Sequence, residues 1–251
     1  MSGRLEGKAA LVTGAGSGVG FAVAQLFAAE GAQVAAITRQ PQSYQRWVGI
    51  DNVLPIQADI TRLEDVNRMV EEAETRLGKL DILCNIAGVH DQLNPLLETS
   101  DELWDRVIDT DLKAPFRICR KVVAGMMARG SGVILNYGSL ASIRGLHGPS
   151  YCAAKAGLIG MTVSIAVAYA KRGIRCNLIN SGGVYTQITE HSGGEPNPEG
   201  LKMFRDITDR LPVNWTCHPE DVAPVALFLC SDESKHVNGA IVALDGGMSA
   251  C

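Results

Sequence analysis

Tyr151 and Lys155 are the two residues in this sequence whose types and spacing could perform chemistry. Residues four apart on a helix share one face, about one turn apart. Tyrosine ordinarily titrates near pH ~10, and a fixed positive charge beside it lowers its pKa. A shift of roughly three units corresponds to about 4 kcal/mol, which a desolvated site can supply. The pair would then interconvert an alcohol and a carbonyl as a general acid/base, and a solvated surface pair is the alternative.

A glycine-rich turn near the N-terminus indicates a nucleotide-binding site. Residues 13–20 read TGAGSGVG, and they follow an apolar strand candidate, Lys8–Thr13, and open a helical pattern. Glycines let the backbone approach a pyrophosphate, and a helix N-terminus offers unpaired N–H groups. The strand–turn–helix context therefore favours a dinucleotide site over an ordinary tight turn.

The residues at the end of the second strand candidate, Gln33–Thr38, indicate which dinucleotide binds. A carboxylate at this place would hold the ribose 2′-hydroxyl of NAD(H), but the chain has Thr38 and Arg39. Because a guanidinium can grip a 2′-phosphate with two hydrogen bonds, NADP(H) is favoured, while NAD(H) remains possible. No basic residue lies in the glycine turn, so this prediction depends on Arg39 alone, and a solvated surface arginine is the alternative.

The elements that would position these residues alternate along the chain. Further strand candidates lie at 53–58, 80–85, 132–136, 175–179 and 240–244. Long helices are expected over Tyr151–Ala170 and from Ser100 into the 120s, with a bend near Pro115. This alternation predicts an α/β fold over 1–251, a single doubly wound Rossmann-type domain whose seven-stranded parallel sheet has helices on both faces.

The segment His191–Gly200 is the one stretch of this pattern that lacks the features of a strand or helix. It is rich in glycine and proline and reads as a mobile loop. We therefore expect a substrate lid around 184–215.

Composition excludes several other classes of function. The net charge of −4 and an aromatic content of 5% argue against a nucleic-acid-binding protein, which would carry a basic face. Seven scattered cysteines without C-x-x-C spacing predict no metal site and suit a reducing compartment. No apolar leader and no long apolar run occurs, so we expect a cytoplasmic protein that does not engage a membrane.

Taken together, the motifs resemble those of the short-chain dehydrogenase/reductase family over nearly the whole chain. The matching residues are the glycine turn, Asp59-Ile60, Asn85-Ile86-Ala87-Gly88, Ser139, Tyr151-x-x-x-Lys155 and Asp245-Gly246-Gly247. The resemblance implies an oxidoreductase that exchanges hydride between a nicotinamide cofactor and a small-molecule ketone or secondary alcohol. It also implies a homodimer or homotetramer, paired through the long helices Ser100–Ala128 and Tyr151–Ala170.

The resemblance also implies roles for single residues. Ser139 would hydrogen-bond the substrate oxygen, and Tyr151 would exchange a proton with it. Lys155 would hold the nicotinamide ribose and lower the pKa of Tyr151. With the strand-end residues above, the expected cofactor-binding set is Gly14, Ser17, Gly18, Val19, Gly20, Thr38, Arg39, Asp59, Ile60, Asn85, Ala87, Gly88, Tyr151, Lys155, Val184 and Thr186.

Two departures from the family pattern touch the catalytic residues. Ser139 precedes Tyr151 by twelve positions where the family has thirteen, so Ser142 competes for the serine role. Asp111 occupies the place of the family's proton-relay asparagine, and we include it among the catalytic candidates. It either serves through its backbone carbonyl, as that asparagine does, or places a carboxylate near Lys155 that alters the pH profile.

Milder departures lie around the site. Ser181 replaces the proline that the family has after the sixth strand, and Ile86 replaces a second asparagine. Losing that proline would leave the turn less rigid. His147 and His90 are expected to be surface loop histidines, and contact with the substrate is the alternative for each.

Apolar residues in the segments that follow the strands favour a hydrophobic substrate, such as a hydroxysteroid-like or other cyclic ketone. They are Leu93, Leu96, Leu140, Ile143, Leu146, Tyr185, Ile188, Met203, Phe204 and Trp215. A 3-oxoacyl thioester on a carrier protein is the alternative substrate; Arg129 suits carrier docking, but no basic cluster accompanies it. A non-catalytic cofactor-binding protein is the alternative of another class.

Overall fold

Strands alternate with helices through residues 3–251, the part of the chain that the computed structural model describes. The strands are β1 Ala9–Thr13, β2 Gln33–Thr38, β3 Val53–Gln57, β4 Ile82–Asn85, β5 Gly132–Ser139, β6 Ile174–Ser181, β7 Gly183–Val184, β8 Thr216–Cys217 and β9 Ile241–Leu244. Seven of them form one parallel sheet in the order β3-β2-β1-β4-β5-β6-β9, and β7 pairs with β8. The predicted seven-stranded, doubly wound α/β fold is confirmed.

Helices cover both faces of the sheet. They are α1 Gly18–Ala29, α2 Pro41–Gln45, α3 Leu63–Leu77, α4 Asp101–Ile108, α5 Ala114–Arg129, α6 Pro149–Tyr169, α7 Ile188–His191, α8 Pro198–Thr208 and α9 Pro219–Cys230. Alternate residues of a strand point to opposite faces, so Val12 of β1 packs in the core under α1 and α9, while Leu11 packs in the core under α3 and α5. This two-sided burial explains why β1 is apolar at nearly every position.

The sheet has its topological switch point between β1 and β4. The chain passes from β1 outward through β2 and β3, then returns to place β4 on the other side of β1. Ligands of open α/β sheets bind in the crevice that forms there, at the carboxyl ends of the strands. The glycine turn follows β1 directly, so the fold delivers it to this crevice.

Several element bounds differ from those predicted. β5 continues to Ser139 and β6 to Ser181, because their last residues stay paired in the sheet. The predicted bend near Pro115 is a π-helical turn over Asp109–Lys113 that joins α4 to α5. Pro115 itself lies in the first turn of α5, directly after the π-helical turn.

One stretch in the described residues, Pro149–Arg172, is long and apolar enough to cross a membrane by length and composition alone. It contains α6, which packs along β5 and β6 and buries Leu158 and Ala166. Its apolar character therefore matches that of a helix packed on the sheet of an α/β fold.

Candidate active site

The glycine turn is shaped by close contacts that only glycine allows. Gly14 has φ +70° and Gly18 has φ +52°, both in the left-handed region. A Cβ on Gly14 would lie 2.9 Å from the backbone of Ala87, and one on Gly18 would lie 2.8 Å from Thr186. The side chain of Ser17, the N-cap of α1, makes no capping hydrogen bond. The first turn of α1 thus keeps N–H groups free for an anion.

A cleft of about 370 Å³ opens at this turn, along the carboxyl ends of the strands. It is lined by nearly all of the residues predicted to form the site, namely Gly14, Ser17, Gly18, Val19, Gly20, Thr38, Arg39, Asp59, Ile60, Ala87, Gly88, Ser139, Tyr151, Lys155, Val184 and Thr186. Asn85 and Asp111 do not line the cleft and lie buried behind its wall.

One end of the cleft carries polar and cationic groups beyond β2. The Thr38 hydroxyl is buried and has no hydrogen-bond partner among residues 3–251. Arg39 is exposed at the mouth. Arg46 donates to the Gly16 carbonyl at 3.3 Å, and its guanidinium lies 5.5 Å from the centre of the Phe21 ring. Sequence reasoning missed Arg46 because it did not predict α2, which brings the residues after Arg39 back to the glycine turn.

Asp59 shapes the neighbouring wall through short-range hydrogen bonds. Its carboxylate accepts from the N–H and hydroxyl of Thr61 at 3.0 and 2.7 Å. Its own N–H donates to Asp65 at 2.9 Å. These contacts fix the turn after β3 against the cleft, with Ile60 beside it.

Asn85 steadies the centre of the sheet from behind the cleft. Its side-chain amide donates to Oδ1 of Asn136 at 2.9 Å, and the side-chain amide of Asn136 donates in turn to the Thr162 hydroxyl on α6 at 2.9 Å. The Thr13 hydroxyl accepts from the N–H groups of Ile86 and Ala87. Together these bonds hold the loop after β4 close to the glycine turn.

Ser139, Tyr151 and Lys155 come together from separate places in the chain. Ser139 ends β5, Tyr151 lies in the first turn of α6, and the side chains of these two hydrogen-bond. Lys155 Nζ lies 5.4 Å from the centre of the Tyr151 ring and donates to the Tyr137 carbonyl at 3.1 Å. Ser142 does not line the cleft, because its hydroxyl is bonded to the Ser139 carbonyl and to Asn180. Of the two competing serines, Ser139 therefore faces Tyr151.

Asp111 forms a buried ion pair with Lys155. Its Oδ2 lies 3.1 Å from Lys155 Nζ, and the two side chains are only 0% and 4% exposed. The other carboxylate oxygen accepts from the Val89 N–H at 2.8 Å. The π-helical turn carries Asp111 to this place, and Gly88 leaves room for it, since a Cβ there would lie 2.9 Å from Oδ2. Burial raises the pKa of the Asp111 carboxyl, and the charge of Lys155 opposes that rise.

The pKa of Tyr151 lies above its ordinary value in this arrangement. Burial is the largest cause, and the negative charge of Asp111 is the next. The hydrogen bond with Ser139 acts in the opposite direction. Asp111 offsets the charge of Lys155, so the phenol stays protonated at neutral pH in this arrangement.

The expectation that His147 and His90 are surface histidines is wrong. The His147 ring centre lies 4.8 Å from that of Tyr151, and both histidines line the cleft. Burial, followed by the charges of His90 and Lys155, lowers the pKa of His147 to about 3. His90 is 7% exposed, and burial also lowers its pKa. Two neutral imidazoles therefore stand beside Tyr151.

Asp91 is a site-positioning residue that sequence reasoning missed. It is fully buried, and its carboxylate accepts from the N–H groups of Gly148 at 3.3 Å and Tyr151 at 3.1 Å. It also accepts from the Ser150 hydroxyl at 3.2 Å. Asp91 thereby fixes the start of α6. No local pattern could reveal this role, because its partners at the start of α6 lie 57 to 60 positions away in the sequence.

Ser181, which departs from the family pattern, has a partner in this structure. The Tyr137 hydroxyl donates to the Ser181 hydroxyl oxygen at 2.7 Å. Burial raises the pKa of the Tyr137 phenol, so it stays a hydrogen-bond donor. A proline at position 181 would offer no acceptor, which explains why serine suits this chain.

Few of the apolar residues expected to contact substrate reach the cleft. Ile188, Phe204 and Trp215 line it. The other seven lie elsewhere: Leu93 and Leu140 are buried, Leu146 is partly buried, and Leu96, Ile143, Tyr185 and Met203 are exposed. Apolar character alone could not separate these groups, because the sequence pattern does not define which way a loop side chain points.

The segment from α7 to α8 is tied to the loop after β4. Ser192 accepts the His90 N–H at 2.9 Å, and the Asn197 N–H donates to the Gln92 carbonyl at 2.8 Å. Gln92 and Leu93 both have positive φ, 56° and 59°, which is strained for residues with side chains. The two segments together close one side of the cleft.

Within residues 3–251 there is no group of three or more His, Cys, Asp or Glu side chains arranged to hold a metal ion.

Comparison with known proteins places the chain among oxidoreductases. Residues 14–249 match a family model described as enoyl-(acyl carrier protein) reductase. A 3-oxoacyl-(acyl-carrier-protein) reductase from Thermotoga maritima is 38% identical over 98% of this chain and 99% of its own length. A 3beta-hydroxysteroid dehydrogenase from Eggerthella lenta is 33% identical over 98% of this chain and 96% of its own.

Solved structures agree in fold over the whole length. Levodione reductase superposes with a TM-score of 0.90 at 32% identity, covering 99% of this chain and 100% of that one. The 3-ketoacyl-(acyl-carrier-protein) reductase from Brucella melitensis, complexed with NADH, gives a TM-score of 0.87 at 31% identity, covering 98% and 99%.

Proposed function

This chain belongs to the short-chain dehydrogenase/reductase family, and from that premise we propose that it exchanges hydride between NADP(H) and a hydrophobic, cyclic ketone or secondary alcohol. The family makes it an oxidoreductase that acts on CH–OH or carbonyl groups. The observation that carries the proposal is the meeting of Ser139, Tyr151 and Lys155 in one cleft with the glycine turn.

The cleft residues fit a dinucleotide. Gly14, Ser17, Gly18 and the first turn of α1 would hold its pyrophosphate, and Asp59 and Ile60 would border its adenine. A bound nicotinamide ring supplies or accepts the hydride. Lys155 would hold the nicotinamide ribose, and the segment that contains Val184 and Thr186 would border the carboxamide.

Two hydroxyls of the chain serve the reacting oxygen. Hydride addition to a carbonyl builds negative charge on oxygen, which requires a hydrogen-bond donor and a proton source close by. Tyr151 is protonated at neutral pH and would donate the proton in the reductive direction. Ser139 would hydrogen-bond the same oxygen, and in the oxidative direction Tyr151 would take the proton back.

Support for NADP(H) comes from the cationic end of the cleft. Arg39 lines the cleft together with the unpaired Thr38 hydroxyl, and Arg46 donates to the carbonyl of Gly16 in the adjoining glycine turn. A 2′-phosphate would satisfy that hydroxyl and pair with the guanidinium groups. NAD(H) is the competing cofactor, since a solved relative binds NADH.

A carrier-bound 3-oxoacyl thioester is the second candidate substrate, favoured by the relative from Thermotoga maritima. Against it, no basic cluster accompanies Arg129 in the sequence, whereas docking an acidic carrier protein favours one. The aromatic cleft wall of Phe204 and Trp215 favours a cyclic ketone instead.

We test the catalytic role with Tyr151→Phe, with Tyr169→Phe at the far end of α6 as the matched control. A panel of cyclic ketones, hydroxysteroids and a 3-oxoacyl thioester is assayed with NADPH and NADH. Tyr151→Phe is expected to lower kcat by about 10²–10⁴-fold while cofactor binding, followed by nicotinamide fluorescence, is retained. Turnover equal to that of the control would remove Tyr151 from the mechanism. If the unaltered protein and the control both bind the cofactor tightly but turn over no substrate, the non-catalytic alternative is favoured.

We test the cofactor preference with Arg39→Ala and Arg39→Ala/Arg46→Ala, with the exposed Arg76→Ala as control. The Kd for NADPH is expected to rise by about tenfold or more in the double variant, while the Kd for NADH changes little. An equal loss for both cofactors, or a lower kcat/KM with NADPH than with NADH in the unaltered enzyme, would overturn the preference.

The remaining expectations extend the proposal to the whole protein. We propose that 1–251 acts as one domain whose 184–215 segment closes over the substrate as a lid. We further propose a homodimer or homotetramer in the cytoplasm, where seven free cysteines would stay reduced.

A further inference from the structure

Five rings form a continuous wall along the substrate side of the cleft. His90, Tyr151, His147, Phe204 and Trp215 all line it. Neighbouring ring centres are 4.8 Å apart for His147 and Tyr151, 5.9 Å for His147 and Phe204, and 5.6 Å for Phe204 and Trp215. His147 is thus the central ring, in contact with the proposed acid/base on one side and with the apolar rings on the other.

The two imidazoles in this wall differ in what their nitrogens do. His90 Nδ1 accepts the Gln92 N–H at 2.9 Å, and its Nε2 lies 3.4 Å from the Thr189 hydroxyl. Both nitrogens of His90 are therefore occupied by the protein. His147 Nδ1 is buried and has no hydrogen-bond partner within residues 3–251.

The unpaired Nδ1 leaves His147 adaptable. A histidine tautomer is normally fixed by the bond that one nitrogen makes. Because nothing in the described chain fixes this one, Nε2 can either donate a hydrogen bond or accept one. Since the ring lines the cleft while Nδ1 is enclosed, Nε2 is the nitrogen available to a bound molecule. The ring is also neutral, because burial is the largest cause that lowers its pKa to about 3.

We propose that His147 recognises a second oxygen on the substrate, so that the preferred substrate is a cyclic ketone or alcohol carrying another carbonyl or hydroxyl on the same ring system. This inference rests on the proposed oxidoreductase function and names its substrate class more closely. The reacting oxygen lies at Tyr151 and Ser139, the second oxygen at His147, and the apolar ring surface against Phe204 and Trp215. A neutral imidazole can accept from a hydroxyl in one tautomer and donate to a carbonyl in the other.

The test compares cyclohexanone with its hydroxy and oxo derivatives at ring positions 2, 3 and 4, using the best of these as the oxygenated substrate. His147→Phe keeps the ring contacts and removes both nitrogens, and His147→Gln restores a donor and an acceptor. His236→Phe, an exposed histidine outside the cleft, is the matched control. Thermal unfolding of each variant confirms that the folded protein is being compared.

The unaltered enzyme is expected to prefer the oxygenated substrate in kcat/KM. His147→Phe should lower this preference by about tenfold or more, His147→Gln should recover part of it, and His236→Phe should leave it unchanged. A preference that survives His147→Phe, or an equal loss of kcat/KM for cyclohexanone, would overturn the role of His147.

A binding measurement separates this inference from the proposed function. Calorimetric Kd values for the same ketones are measured on Tyr151→Phe with NADP⁺, with and without His147→Phe. A His147-dependent preference in binding supports the inference even if no ketone is turned over, a result that would count against the proposed reaction alone. A binding preference for the oxygenated ketone that is the same with and without His147→Phe, or no binding at all, overturns the inference.

Discussion

Lys155 faces Asp111 as well as Tyr151, and this shared position sets the charge balance of the site. The ammonium is 3.1 Å from the Asp111 carboxylate and 5.4 Å from the Tyr151 ring centre. An opposite charge at close range in a buried site offsets most of the field that the ammonium would exert on the phenol. Asp111 therefore acts through Lys155 and Tyr151 as a positioning and tuning residue.

Replacing Asp111 with asparagine is expected to move the pH profile of alcohol oxidation. Oxidation requires the Tyr151 phenolate, and the Asp111 charge raises the pKa of that phenol. Asp111→Asn removes the charge but can keep the bond from the Val89 N–H, so the pKa of Tyr151 falls. The acidic limb of kcat/KM for oxidation should shift to lower pH by about one unit, equivalent to about 1.4 kcal/mol.

Asp109→Asn is the matched control for this shift. Asp109 lies in the same π-helical turn and pairs with Lys113 at 2.8 Å, but it is partly exposed and does not line the cleft. It should leave the pH profile in place. A profile that stays the same in Asp111→Asn, or moves equally in both variants, would contradict the tuning role.

At the residue scale, sequence reasoning found the groups whose partners are local. The glycine turn and the Tyr151/Lys155 spacing are short patterns, and their residues do line the cleft. The place of His147 in the cleft wall could not be predicted in the same way, because its neighbours there, including Phe204, come from distant segments. The net rise in the pKa of Tyr151 could not be predicted for a related reason: burial is its largest cause, and burial depends on the whole fold.

At the element scale, α6 depends on a carboxylate outside itself. Asp91 accepts from the N–H groups of Gly148 and Tyr151 and from the Ser150 hydroxyl, so it occupies the positive end of the helix dipole. Those bonds also fix the backbone of Tyr151. A loss of Asp91 would therefore affect stability and catalysis together.

Asp91→Ala is expected to lower the free energy of unfolding by about 2–3 kcal/mol, because it leaves buried donors unpaired. It should also lower kcat, since Tyr151 loses its backbone anchor. Asp91→Asn keeps one acceptor oxygen, so its stability and its kcat should lie between those of the unaltered protein and Asp91→Ala. The exposed Asp101→Ala at the start of α4 is the control, and urea unfolding with kinetics at saturating ketone gives the comparison. Full activity in Asp91→Ala would refute the positioning role.

The proposed lid depends on Asn197. Its side-chain oxygen accepts from the N–H groups of Glu199 and Gly200, capping α8, and its amide donates to Asn94 at 3.2 Å. Asn197→Ala should raise KM and speed proteolytic cleavage between 184 and 215. Loss of the cap on α8 should also lower the free energy of unfolding by about 1 kcal/mol. Ser100→Ala removes the cap of α4 instead and should leave KM unchanged. Equal KM values in the two variants would argue against a lid.

The alternation of strands and helices was predictable because each element carries its own pattern. β1 and β2 are short apolar runs, and α3 shows buried residues on one face, so their places were recognised. The π-helical turn over Asp109–Lys113 was not, because no short sequence pattern marks it, and the residue that Asp111 pairs with, Lys155, lies on a different helix. Pro115 predicted a bend in this part of the chain, but the irregular turn lies just before it, at Asp109–Lys113.

At the scale of the whole molecule, apolar side chains remain exposed on the helices proposed to pair subunits. Phe116 of α5 is 47% exposed, and Val163 and Val167 of α6 are 39% and 80% exposed. Trp104 of α4 adds to them. Exposed apolar groups on long helices are suited to an interface between copies of the chain.

We predict that Val167→Glu shifts the assembly toward smaller species. A glutamate buried without a partner in an interface costs several kcal/mol, so an expected penalty of about 3 kcal/mol would weaken subunit pairing by roughly 100-fold or more. Phe116→Glu should act in the same direction, through α5. Sedimentation velocity across a range of protein concentrations measures the change.

Val48→Glu, at a residue 56% exposed after α2, is the control because it lies on neither pairing helix. An unaltered protein that sediments as a monomer throughout, or a Val167→Glu variant that sediments like Val48→Glu, would contradict pairing through α6.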